Sequence, residues 1–141
     1  MPNRKLIIRI EPRAEALTEM LDQLEDYAEA ADLPSRVAYH LRLICEELAA
    51  NVAMHGTGGE NGATYVEIIV DRQRDEIRLS VEDDGRPFDP LAQARPNLDL
   101  ALEDRPIGGL GIYFVRSLVR NISYQRLGRI NHLTAVIGTT T

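Results

Sequence analysis

The chain has 141 residues, 44% of them hydrophobic, and 22 acidic against 16 basic side chains give a net charge of −6. That length and composition fit one domain with a real core. The acidic balance excludes a uniformly basic surface and gives no support to direct nucleic-acid binding, though local amides and a metal can hold a small phosphate whatever the net charge.

The N-terminus "MPNRKLIIRIEPR" has no long apolar segment, and no apolar run approaches bilayer-spanning length. Cys45 is the one cysteine, so no disulfide can form within the chain. A cytoplasmic protein with no membrane association is expected. No internal repeat or low-complexity tract is present, and 1–141 reads as a single domain.

"KLIIRIEP", rich in Ile and Leu and stopped by Pro12, reads as a strand. From Ala14 to Ala31 the residues Leu17, Met20, Leu21, Leu24, Tyr27, Ala28 and Ala31 follow helical spacing. "DLPS" breaks that pattern, and Pro34 suits the first turn of a second helix. There Val37, Leu41, Ile44, Leu48 and Val52 form an apolar stripe that ends at Gly56.

"TYVEIIVDR" and "EIRLSVED" alternate apolar and polar residues around "QRD", the pattern of a hairpin. From Asp84 to about Ile107 four prolines and the lack of an apolar period predict a lid, with a short helical turn at "LDLALED". "GGLGIYFVRSLVRNI" returns to helix, and "SYQRL" and "NHLTAVIG" make two last strands around "GRI". The order predicts an α+β fold: a two-layer α/β sandwich, with a mainly antiparallel mixed sheet and helices on one face.

Three stretches carry candidate chemistry. Glu47, Asn51 and His55 lie four residues apart, about 40° from one another around a helix, and share a polar strip. A carboxylate there can act as a general base and an amide oxygen suits Mg²⁺, although a solvated helix face explains the same spacing. In "VEDDGRPFDP" a strand ends in acids followed by glycine and proline turns. An Asp at that end can accept from an exocyclic amine, and Gly85 lets the backbone pass close to a ligand, although plain Asp-Gly turns are common. In "IGGLGIYF" glycines open a helix and free N–H groups for an anion, or simply form a hinge. The last stretch is neither a P-loop nor a dinucleotide fingerprint.

In order and separation the three stretches resemble the GHKL ATP-binding family, whose domain is the Bergerat fold, and within it the bacterial anti-sigma-factor serine kinases. The matching residues are Glu47-Leu48-Ala49-Ala50-Asn51 with His55-Gly56, then Asp83-Asp84-Gly85-Arg86-Pro87-Phe88-Asp89-Pro90, then Gly108-Gly109-Leu110-Gly111. "GRINHLTAV" is similar to the family's last hairpin, so the resemblance covers nearly the whole chain.

The resemblance implies ATP and Mg²⁺ as cofactors and an ATP lid over about 84–107. Glu47 would be the base acting on a serine hydroxyl, and Asn51 the Mg²⁺ ligand. Asp83 would meet the adenine amine, with Gly85 allowing approach and Thr134 nearby through water. Gly109, Leu110 and Gly111, after Gly108, would offer amides to phosphate. Arg86 and Arg105 flank the lid as candidates to steady the γ-phosphate, with solvated charge the simpler reading of both; His55 is a helix-end residue first and a site neighbour second.

Phe114, where the family often has a smaller aliphatic residue, and Arg120-Asn121 depart from the family pattern without touching a catalytic role. Cys45 reads as a small core residue. The expected partners are an anti-anti-sigma protein of the STAS type as substrate, a sigma factor, and a second copy of the chain in a homodimer. The alternative is an ATP-binding regulatory module that controls a partner without phosphoryl transfer. A histidine-kinase fragment or gyrase-like ATPase ranks lower, because His40 and His132 lie in the wrong contexts for a phospho-acceptor.

Overall fold

The computed structural model describes residues 5–55, 62–92 and 110–139. The chain runs β1 (Lys5–Ile10), α1 (Ala14–Ala30), α2 (Ser35–His55), β2 (Val66–Arg72), β3 (Glu76–Asp83), a single 3₁₀ turn (Pro90–Ala92), α3 (Leu110–Leu118), β4 (Asn121–Leu127) and β5 (Ile130–Gly138). The strands form one sheet in the order β1-β2-β3-β5-β4. Every pairing is antiparallel, so the mixed component expected from the sequence is absent among the described residues. The reason is connectivity: β4 turns directly into β5, and β5 returns beside β3 in the opposite sense.

The strands alternate as a one-sided sheet requires. Val66, Ile68 and Val70 of β2, Ile77, Leu79 and Val81 of β3, and Leu133, Ala135 and Ile137 of β5 are buried on one face. Against them lie Met20 and Leu24 of α1 and the expected α2 stripe, with Val37, Leu41, Ile44, Leu48 and Val52 all in one core. Ile112 and Val115 bring α3 onto the same core. The opposite face is open, and Ile7 stands 57% exposed on it.

Helix α1 ends in a Schellman turn. The Leu33 N–H donates to the Ala28 carbonyl and the Asp32 N–H to that of Glu29, with Asp32 at φ 53°. The Arg72 guanidinium caps the Ala31 carbonyl from the sheet. Pro34 then precedes α2, and its carbonyl receives the Ala38 N–H. The β4–β5 turn is shorter than expected: Leu127 pairs with Ile130, leaving Gly128 and Arg129 as the turn. Gly128 has φ 60°, the geometry that a two-residue turn with glycine first demands. The predicted turn at "LDLALED" lies outside the described residues.

Candidate functional site

The C-terminal half of α2 and the adjoining ends of β3 and β5 line a partly open cleft. Leu48, Val52, Val81 and Leu133 give it an apolar floor, and Phe88 and Pro90 a wall. Asn51 faces into it from α2, while Asp83, Tyr124 and Asn131 supply its other polar groups. An apolar slot with a few convergent polar groups is the usual form of a small-molecule site.

Asp83 is the last residue of β3 and only 6% exposed, on the inward face of the sheet. Its Oδ1 accepts the Gly85 N–H at 2.8 Å and the Asn131 amide at 3.0 Å. Burial pushes the Asp83 carboxyl above its ordinary value, and these hydrogen bonds act in the opposite direction. Gly85 thus holds the acid with its N–H and offers its carbonyl to Arg126 Nη1 at 2.8 Å. Asp84 points elsewhere, to the Thr64 N–H at 2.7 Å, the Thr64 hydroxyl and the Tyr65 N–H. Burial opposes its charge, yet those donors together lower its pKa. Of the paired acids, Asp84 fastens the loop before β2 and Asp83 faces the cleft.

One turn before Asn51 on α2, Glu47 lies against the start of α3. A Cβ on Gly111 would stand 2.0 Å from Glu47 Oε2 and 2.7 Å from its Cδ. The absent side chain of Gly111 is therefore what lets the carboxylate reach the helix. Leu110 and Gly111 begin α3, and first-turn N–H groups of a helix have no partner within it. An anion is favoured at such an end.

The structure brings Asn51, Asp83 and Gly85 together at one cleft, with Glu47 and Gly111 meeting one turn along α2. The Arg86 carbonyl joins the network by accepting the Asn131 amide at 2.8 Å. His55 is the last residue of α2. Arg105, Gly108 and Gly109 lie outside the described residues, as does 93–107 of the expected lid.

Thr134 is not in this constellation. It alternates with the buried Leu133 and Ala135, so it points to the open face of the sheet, where its hydroxyl meets that of Ser123 at 2.8 Å. The inward polar residue of β5 is Asn131, directly across from Asp83. Sequence reasoning passed over it, together with Tyr124 and Arg126. A signal was available: Asn131 shares the alternation of Leu133, Ala135 and Ile137, and a polar side chain at a core-facing position asks for a partner.

Cys45 is buried in the core, where burial pushes its thiol up to about 12, so it is no nucleophile at neutral pH. Among the described residues no helix is long and apolar enough to cross a membrane.

Comparison with known proteins identifies the family and the fold. The chain is 29% identical over 135 residues to the serine/threonine-protein kinase BtrW of Bordetella bronchiseptica, covering 95% of this chain and 94% of that one. Two solved structures share the fold. One is the histidine kinase domain of the blue-light activated histidine kinase from Erythrobacter litoralis EL346, with a TM-score of 0.53 and 18% identity over 92% of this chain and 62% of that one. The other is that histidine kinase itself, at 0.57 and 19% over 89% of this chain and 41% of the other. This chain therefore spans less than two thirds of either solved chain. Residues 10–137 match the histidine kinase-like ATPase domain, a match that implies ATP as ligand, and the chain belongs to that family.

Proposed function

We propose that this protein is an ATP-dependent protein serine kinase and anti-sigma factor. It phosphorylates a STAS-type anti-anti-sigma protein, sequesters a sigma factor and works as a cytoplasmic homodimer. The observation that carries the kinase reading is the Glu47–Gly111 contact, which holds a carboxylate at the N-terminus of α3, one helical turn from a cleft ending in Asp83. The serine/threonine kinase name of the Bordetella relative supports the acceptor class.

The residues fit a nucleotide. Asp83 offers a carboxylate oxygen at the buried end of an apolar slot, the place for an adenine amine. Asn51 stands between that end and Glu47, where an amide oxygen can hold Mg²⁺. The ion, when bound, neutralises phosphate charge. Leu110 and Gly111 meet the phosphates with backbone N–H groups.

Phosphoryl transfer asks mainly for positioning and charge stabilisation. Glu47 takes the proton of the acceptor serine as that oxygen bonds to the γ-phosphorus. The bond from the γ-phosphorus to the β–γ bridging oxygen breaks, and ADP leaves with the electron pair. The open face of the sheet, with Ile7 exposed, is the surface for the second copy.

The test is transfer of labelled phosphate from Mg-ATP to the STAS protein encoded nearest this chain's gene. Glu47→Ala should lower transfer by about 10²–10⁴-fold, the usual worth of a positioned base, with ATP affinity largely intact. Absence of transfer by wild type to any cognate STAS protein would sink the kinase reading. Equal control of the partner by wild type and Glu47→Ala would make the chain a regulatory module that acts by binding.

A further inference from the structure

Asp83 and Asn131 are the two polar residues buried in the described structure, at 6% and 5% exposed. They sit opposite each other in the β3–β5 ladder, at positions where the strands otherwise carry Ile77, Leu79, Val81, Leu133, Ala135 and Ile137. A hydrophobic pair would pack there without any desolvation of polar groups.

The Asn131 carboxamide can point only one way. Its Oδ1 accepts from the Tyr124 hydroxyl, from Arg126 Nη1 at 3.1 Å and from the Phe88 N–H at 3.3 Å. Its Nδ2 donates to Asp83 Oδ1 at 3.0 Å and to the Arg86 carbonyl at 2.8 Å. A flipped amide would turn its hydrogens on the Arg126 guanidinium and the Phe88 N–H, which can only donate, and its oxygen on a carboxylate and a carbonyl. Arg126 also holds the Gly85 carbonyl, so one guanidinium fixes both the amide and the turn after Asp83. With the Gly85 N–H, Asp83 Oδ1 has two donors. No hydrogen bond claims Oδ2 among the described residues, and no described side-chain oxygen is both buried and unpartnered, so Oδ2 opens to the cleft.

We propose that Asn131, held by Tyr124 and Arg126, is a positioning residue that occupies Oδ1 of Asp83 and presents Oδ2 as a fixed acceptor, so that the cleft selects a purine with an exocyclic 6-amine over one with a 6-carbonyl. The proposal rests on the ATP reading and adds the device that sets base selectivity. Two N–H donors on Oδ1 favour the ionised carboxylate, which only accepts hydrogen bonds. Removal of the Asn131 amide leaves burial to favour a neutral carboxyl, whose hydroxyl can donate to a 6-carbonyl. Discrimination then relaxes.

The experiment is equilibrium binding of ATP and of GTP, each with Mg²⁺, to the full chain, with thermal melts alongside. Wild type should prefer ATP. Asn131→Ala should shrink the ATP-over-GTP ratio about tenfold, the scale of one lost hydrogen bond to a charged group. Tyr124→Phe keeps the half-buried ring, frees the amide partly and should shrink the ratio by a smaller factor. It also carries the test if Asn131→Ala does not fold. A merely structural role would weaken both nucleotides alike, so an unchanged ratio in a folded variant overturns the proposal. Equal binding of ATP and GTP by wild type overturns it too, and leaves the ATP reading standing. Binding of neither by wild type removes the ATP reading itself.

Discussion

Replacing Gly111 by Ala should separate stability from catalysis. The new methyl would lie 2.0 Å from Glu47 Oε2, so the carboxylate must leave its position. The obstacle is the far end of a flexible side chain, and swinging it away costs about 0.5–1.5 kcal/mol as rotamer strain. Alanine in a helix returns up to about 1 kcal/mol over glycine. The two nearly cancel, and the melting temperature should move by no more than about 5 °C. The backbone N–H that would meet phosphate is retained, so ATP affinity should hold. Transfer depends on the position of the base, and a displacement of this order costs about 10²-fold, or roughly 2.7 kcal/mol of barrier. Single-turnover transfer at saturating Mg-ATP measures it, with a melt and a binding curve as controls. In a Glu47→Ala background the same change should add nothing, because the two act through one carboxylate. Transfer by Gly111→Ala at the wild-type rate would refute the reasoning, and so would a further loss in the double variant.

Two further outcomes are expected. Burial, only partly offset by the Asn131 and Gly85 hydrogen bonds, holds the Asp83 pKa above its ordinary value. Its contribution to stability is therefore complete below the unfolded pKa and is lost as pH rises through the folded one. Asp83→Asn keeps an oxygen for the Gly85 and Asn131 donors and removes that loss, so urea unfolding of the ligand-free protein should show less destabilisation than wild type as pH rises above the ordinary aspartate range of about 4. A steeper dependence in the variant would contradict the burial argument. Cys45, with its thiol pushed up to about 12, should resist a maleimide in the native protein and react at once on unfolding; prompt labelling of the folded chain would place it at the surface.

Most of the architecture was legible because burial follows periodicity. The α2 stripe from Val37 to Val52 is the core-facing stripe, and the hairpin of β2 and β3 alternates as its sequence does. The Glu47–Asn51 spacing was legible for the same reason, since a helix fixes which residues share a side. Its meaning came from the ordered companions in "DDGRPFDP" and "GGLG", not from the helix itself. The base end was harder, because it depends on which residues lie opposite in a ladder between strands far apart in the chain. Thr134 was placed there by resemblance, although strand parity sends it to the open face with Ser123. Asn131 was read as part of the last strand, "NHLTAVIG", but alternation along one strand names no partner across the sheet. Only the register that sets it across from Asp83 makes it part of the site.

That ladder also governs when the site exists during synthesis. Asp83 and Asn131 are joined across a long stretch of chain that includes α3. A nascent chain that has emerged only through α3 already contains Glu47, Asn51 and Asp83. It lacks the strand that supplies the opposing amide and, through Tyr124 and Arg126, the groups that orient it. Its acid is then left at an unpaired sheet edge and open to water. Nucleotide can reward only the finished domain, by mass action on the native state, and gives no help to the half-made one.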